Sequence, residues 1–181
     1  SSDRFLIIGG KNANQNELLF KKHLEADDIA FHADIPGAPL TIIKSEGKKI
    51  SKQAIKEAGT IAASYSSAWK RGVGSIDVYW INSDQISKTP PSGSFLPKGS
   101  FMIRGKKNFL KKVELKIFIG IDVENHRPIM GTEDSIKNAK YYVALKPGHL
   151  EKKELASEIQ KKFLENCRKE HLSLIKSINI D

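Results

Sequence analysis

Cysteine is nearly missing from this chain of 181 residues, with Cys167 the single one. One thiol cannot close an internal disulfide or build a cysteine-based zinc site, and such usage fits a reducing compartment. Long apolar runs are missing too, and none approaches the roughly 20 residues of a membrane-spanning helix. The start, Ser1-Ser2-Asp3-Arg4, carries no methionine and neither a signal nor a transit pattern. It reads as a piece of a longer soluble, cytoplasmic protein. No internal repeat or low-complexity tract is present. Acidic residues are in deficit: 21 Asp and Glu stand against 30 Lys and Arg, a net charge of +9 at pH 7. That surplus speaks to anionic partners and is silent on fold. Hydrophobic residues at 39% and a mean hydropathy of -0.38 suit a globular domain and argue against long disorder. The length predicts a single domain, 1–181, with one core, and no cofactor or structural metal is called for.

Periodicity supplies the elements. Phe5-Leu6-Ile7-Ile8 ends at Gly9-Gly10 as a short buried strand does. Asn14, with Glu17 three residues on, predicts a capped helix to about Leu24. Residues 28–34 alternate and Leu40-Thr41-Ile42-Ile43 reads as a second strand, so Pro36-Gly37 between them predicts a hairpin. The strongest helical stripe runs from Lys52 to Arg71, with Ser51 as its cap and Gly72 as its stop. Strands are expected at 75–82, 101–103, 113–123 and 141–145, a rigid loop at 89–93, and a short helical turn near Asp134 or Ser135. An amphipathic basic helix is expected over about 150–178. The class is α+β (mixed α/β), a mixed and mostly antiparallel sheet packed by a central helix and a C-terminal helix.

Residues 98–116 hold the most chemistry: seven of these 19 residues are basic against the one acid, Glu114. Cations that neutralise phosphates gain from counterion release, and aromatic faces can stack on unpaired bases. Phe101 and Phe109, which lie in this stretch, are read as core residues. Arg104-Gly105-Lys106-Lys107-Asn108 is read as an anion site, because a glycine lets backbone N–H groups approach a phosphate beside the cations. A P-loop does not fit, since Gly99 and Gly105 are one residue too far apart and Lys107 stands where Ser or Thr should be. Residues 9–16 offer a glycine turn into a helix start, with Lys11, Asn12, Asn14, Gln15 and Asn16 beside it. This is either an anion site or simply a well-capped helix. His32 and Asp34 share a strand face. They form a bracing hydrogen-bonded pair or, alternatively, an acid–base or metal couple, with no third ligand at recognisable spacing. Ser64, Ser66 and Ser67 lack a nucleophile elbow.

These segments together resemble the NFACT-R domain of the NFACT family, ribosome quality-control factors once called fibronectin-binding proteins. The resemblance rests on 8–17 (Ile-Gly-Gly-Lys-Asn-Ala-Asn-Gln-Asn-Glu), 31–38 (Phe-His-Ala-Asp-Ile-Pro-Gly-Ala), 57–60, 65–69, 85–89 (Gln-Ile-Ser-Lys-Thr) and 99–109 (Gly-Ser-Phe-Met-Ile-Arg-Gly-Lys-Lys-Asn-Phe). They occur in the family's order across a core of about 5–146. The ending, Tyr141 to Gly148 and then a basic helix, is similar to archaeal members. The family's longer chains carry an NFACT-N domain, a helix–hairpin–helix module and a coiled coil, none of which is in this sequence.

The resemblance implies an RNA-binding module of a factor that engages the large ribosomal subunit and recruits tRNA, so that stalled chains receive an untemplated tail. The ribosome performs the chemistry, so no catalytic residue is expected. The expected RNA contacts are Lys11, Asn12, Asn14, Gln15, Asn16, His32, Lys88, Arg104, Lys106, Lys107, Asn108 and Lys111. About five neutralised phosphates would give a log–log salt slope of roughly -3.5 to -4.5. The alternatives are an RNA-processing enzyme using His32 and Asp34, a protein-docking domain, and a DNA-binding sensor like single-domain relatives of NFACT-R.

Overall fold

The first apolar run forms β1 (Ile7–Gly9), and the chain turns at Gly10 into α1 (Ala13–Lys22). Asn12 caps α1, its side-chain oxygen accepting from the Gln15 N–H at 3.0 Å. The cap expected at Asn14 therefore lies two residues too late. β2 (Ile29–Ala33) and β3 (Thr41–Ile43) form the expected hairpin, with Ile29 opposite Ile43. Next comes α2 (Lys52–Ser64), capped by Ser51, whose Oγ accepts from the Ala54 N–H at 2.9 Å. The stripe to Arg71 is not one helix. The chain breaks at Tyr65, and Ser66 caps a separate α3 (Ser67–Lys70). A hydroxyl that hydrogen-bonds its local backbone competes with helix continuation, so apolar spacing alone could not reveal the break.

β4 (Ser75–Asn82) follows, then β5 (Ile86–Ser87) and β6 (Met102–Ile103), which pair with each other, and β7 (Asn108–Glu114). The computed structural model describes residues 1–90 and 92–180. Pro91, in the loop expected at 89–93, lies outside the described residues. The main sheet is antiparallel with strand order β1-β3-β2-β4-β7. Helix α2 covers one face, where Ala54, Ala58 and Ala62 are fully buried with Phe31, Ala33 and Val78. Small side chains bring the helix close. At Gly59 an added Cβ would run into the Leu110 side chain. The opposite face is partly covered by α1 and residues 101–103: Leu19, Phe20, Phe101 and Ile103 pack with Ala30, Ile42, Tyr79 and Ile81.

The chain packs as two compact units, Ser1–Leu115 and Lys116–Asp181. Where one core to about residue 146 was expected, the division falls inside the basic stretch. The single strand expected at 113–123 is accordingly two strands in different sheets. Leu115 is buried in the first unit's core, and β8 (Ile117–Asp122) opens the second. There β8 lies between β9 (Arg127–Gly131) and β10 (Tyr141–Leu145), antiparallel to both. The turn expected at 134–135 is α4 (Glu133–Ile136).

The last helix is interrupted as well. α5 (Lys152–Asn166) stops at Cys167, which is extended, and α6 (Leu172–Ser177) follows after a short 3-10 turn. Ile159 and Phe163 of α5 and Ile175 of α6 share a core with Ile119, Ile121 and Tyr141. The apolar stripe persists because both helices bury a face in that one core. The class is α+β, as expected.

Candidate nucleic-acid interface

The sheet face away from α2 ends in an aromatic row. Register places His32 of β2 opposite Tyr79 of β4, and Tyr79 opposite Phe109 of β7. Ring centroids lie 5.7 Å apart for His32–Tyr79 and 5.9 Å for Tyr79–Phe109. Burial peaks at Tyr79 in the middle of the row, 6% exposed, and falls off to Phe109, 42% exposed. Phe101 packs on Phe20 and behaves as the core residue expected, whereas Phe109 does not. Burial pushes the Tyr79 hydroxyl up to about 12, helped by the Asp34 carboxylate, so it stays neutral. Burial pushes the His32 imidazole below its ordinary value, against hydrogen bonds with the backbone of Ala33 and Ala38.

A bulge aims this edge. Ile76 pairs with Val113 and Val78 with Leu110, so Asp77 faces both Lys111 and Lys112, and Lys112 takes a left-handed φ of 50°. The Asp77 carboxylate accepts from the Lys112 N–H at 2.8 Å and from Lys111 Nζ at 2.8 Å. Those bonds hold its carboxyl below the usual range, the lysine first. The extra residue lets Leu110 and Val113 both pack toward α2 while Phe109 and Lys111 face outward.

Next to the row is the turn at 104–107. The Gln85 side-chain NH2 donates to the carbonyls of Arg104 and Lys106, both at 2.9 Å, and the Gln85 carbonyl accepts from the Arg104 N–H at 2.8 Å. Gly105 between them has φ 77°, which L side chains rarely adopt. With both carbonyls drawn to Gln85, the cationic side chains of Arg104, Lys106 and Lys107 remain exposed. Among the described residues, no carboxylate lies within 4.0 Å of these three charges. Lys107 Nζ sits 4.2 Å from the Tyr79 ring centroid. Asn108 starts β7 opposite Trp80.

The helix-start stretch lies on the same side of the sheet and is mostly spent on structure. The Lys11 N–H donates to Gln15 Oε1 at 2.8 Å, so Asn12 and Gln15 cap α1 between them. Asn16 is buried and its Oδ1 accepts from the Leu40 N–H at 3.2 Å. At Gly10 an added Cβ would meet the Asn16 backbone nitrogen at 2.8 Å. Lys11 and Asn14 stay exposed.

The segment at 99–101 is tied to α1 through Glu17. Its carboxylate accepts from the Gly99 N–H at 3.2 Å and pairs with Lys88 at 2.8 Å and Lys21 at 3.1 Å. Lys88 also donates to the Ser100 carbonyl at 2.9 Å and lies over the Phe101 ring. Lys88 and Lys21 hold the Glu17 carboxyl down at about 2. Lys88 thus clamps the 99–101 segment to α1, and Lys111 is shared with Asp77. Neither offers a free charge.

His32 and Asp34 sit two residues apart on the row's face, yet no hydrogen bond joins their side chains in the described structure. The bracing pair expected between them is not formed, and His32 leans on backbone instead. Among the described residues no group of three or more His, Cys, Asp or Glu is placed to hold a metal. No helix there is long and apolar enough to cross a membrane. Sequence reasoning passed over Gln85, Tyr79 and Asp77. Gln85 did leave signals, its place in the 85–89 segment and its spacing of three from Asn82, whose N–H donates to Gln85 Oε1 at 3.0 Å.

Over residues 1–105 the chain matches the family described as the NFACT protein RNA binding domain, which defines its class: an RNA-binding domain. It is 39% identical over 163 residues to the archaeal Rqc2 homolog aRqcH of Methanocaldococcus jannaschii, covering 88% of this chain and 24% of that protein. It is 48% identical over 111 residues to the human ribosome quality control complex subunit NEMF, covering 61% of this chain and 10% of that protein. The C-terminal part of the fibronectin/fibrinogen-binding protein from Streptococcus suis matches 76% of this chain and 46% of its own, with TM-score 0.52 and 25% identity. The chain spans about a quarter or less of the curated relatives just named. It belongs to the NFACT RNA-binding domain family.

Proposed function

We propose that this chain binds RNA through the open sheet face and the 104–107 turn, serving as the RNA module of a ribosome quality-control factor. The turn carries the proposal. Gln85 holds its carbonyls inward while Arg104, Lys106 and Lys107 keep charges that no carboxylate among the described residues neutralises. Lys11, with Asn14, extends the surface. In the longer protein this module would help engage the large ribosomal subunit and tRNA during untemplated tailing. The relatives named above, a ribosome quality control subunit and an Rqc2 homolog, support that assignment. No residue is assigned a catalytic role.

Lys88 and Lys111 are already paired, so the phosphate count is smaller than the sequence suggested. Neutralisation by Lys11, Arg104, Lys106 and Lys107 gives a log–log salt slope of about -2.8 to -3.6. The double variant Lys106→Glu with Lys107→Glu should flatten the slope by about 1.4 to 1.8. Fluorescence anisotropy with a tRNA-sized RNA across a salt series measures it, with duplex DNA at one ionic strength as comparison. An unchanged slope removes the turn from the interface.

A further inference from the structure

Phe109 is oddly placed for a residue of its size. It lies on β7, an edge strand, with its side chain away from α2 and 42% exposed. The apolar layer on that side already closes over Tyr79. A smaller residue would suffice for packing there. One face of the ring is already taken by the Lys111 ammonium. Tyr79 meets the ring at an interplanar angle of 62°, and Lys111 Nζ lies 4.2 Å from its centroid. Lys111 is itself fixed by Asp77 at 2.8 Å. Beyond Tyr79, Lys107 supplies an unpaired ammonium on the same face, and Lys106 and Arg104 follow in the turn Gln85 holds.

From this we infer that Phe109 is a stacking platform for an unpaired base of single-stranded or looped RNA, whose neighbouring phosphates are held by Lys107, Lys106 and Arg104. The inference rests on the RNA-binding proposal above and specifies which form of RNA the face takes. Charge complementarity selects the occupant: an aromatic surface beside the three cations of the 104–107 turn suits a flat, π-faced unit on an anionic backbone. An ordinary apolar peptide would leave those charges unanswered. In a duplex the bases stack on each other, whereas loops and single strands offer free base faces. A platform already positioned before binding loses little freedom when a base arrives. Stacking is sequence-tolerant, because every base has a π-face.

The test compares a stem-loop RNA, an RNA single strand and a fully paired RNA of equal charge by anisotropy. Phe109→Ala and Phe109→Leu should weaken stem-loop and single-strand binding about 10- to 100-fold. Duplex binding and the salt slope should stay within experimental scatter, and Phe109→Tyr should restore affinity. Leu keeps an apolar side chain without a ring, so it separates stacking from packing and serves if the Ala variant folds poorly. Lys106→Glu should weaken all RNAs and lower the slope by about 1.

Leu binding as well as Phe, or a loss equal for loop and duplex, overturns the stacking assignment while leaving RNA binding intact. If the unaltered chain binds none of the RNAs, both proposals fall.

Discussion

At Asp34 a carboxylate shares the open face with Tyr79 and His32 and raises the Tyr79 hydroxyl. Its charge opposes any polyanion. Asp34→Asn should therefore tighten RNA binding several-fold at low salt and less at high salt, as screening dictates. Binding isotherms at two ionic strengths measure this.

His32 gives a pH signature with a definite sign. Its imidazole lies below the ordinary 6.5 in the folded chain, so the unfolded state takes up the proton first. Stability should fall as pH drops below 6.5, and His32→Gln should flatten that part of the curve. Glu17 acts at lower pH. Its carboxyl is held at about 2 against an ordinary 4.5, so its contribution is complete above about 4.5 and disappears as pH falls through about 2. Urea midpoints for Glu17→Gln and the parent should converge toward that acid limit. No sequence pattern announces these roles. Glu17 was legible only as part of a cap, because its partners Lys88 and Gly99 are distant in the chain.

At the scale of elements, the turn at 104–107 and the start of α1 depend on single close approaches. Gln85→Ala removes two hydrogen bonds to carbonyls and the one accepted from the Asn82 N–H, and should cost about 1–3 kcal/mol locally, with weaker RNA binding because the cations are no longer aimed. Gly99 has φ 79°, and an added Cβ would lie 2.7 Å from Ala13 Cα. Gly99→Ala should thus destabilise by about 2 kcal/mol or more, since neither strain nor backbone can yield cheaply. Chemical denaturation measures both.

Much of the first sheet was readable here. The alternation at 28–34, the Ser51 cap and the alanine stripe of α2 all follow from local spacing. What escaped the sequence were breaks inside continuous apolar patterns: Ser66 in the long helix, Leu115 in the long strand, Cys167 in the last helix. At each, the pattern runs on because both sides bury apolar groups, while the backbone leaves its helix or strand through bonds that composition does not show. Phe109 was misjudged for a related reason. Its neighbour Leu110 faces α2, and which of the two points inward depends on the pairing with β4, not on residue type.

Across the whole chain, the family match at 1–105 falls inside the first unit. A fragment of residues 1–115 should unfold cooperatively by itself and keep the parent's salt slope for RNA. Circular dichroism and the same anisotropy series would decide it. Charge is divided unevenly along that boundary. The first unit holds 18 basic and 11 acidic residues, +7, while the second holds 12 and 10, +2. The lysines of α5 are offset by the glutamates interleaved with them and add little to the total.

Passed over a sulfonate resin, the fragment before Lys116 should therefore elute late and the remainder early. In a crowded mixture, long-range attraction would draw polyanions to the first 115 residues far more than to the rest.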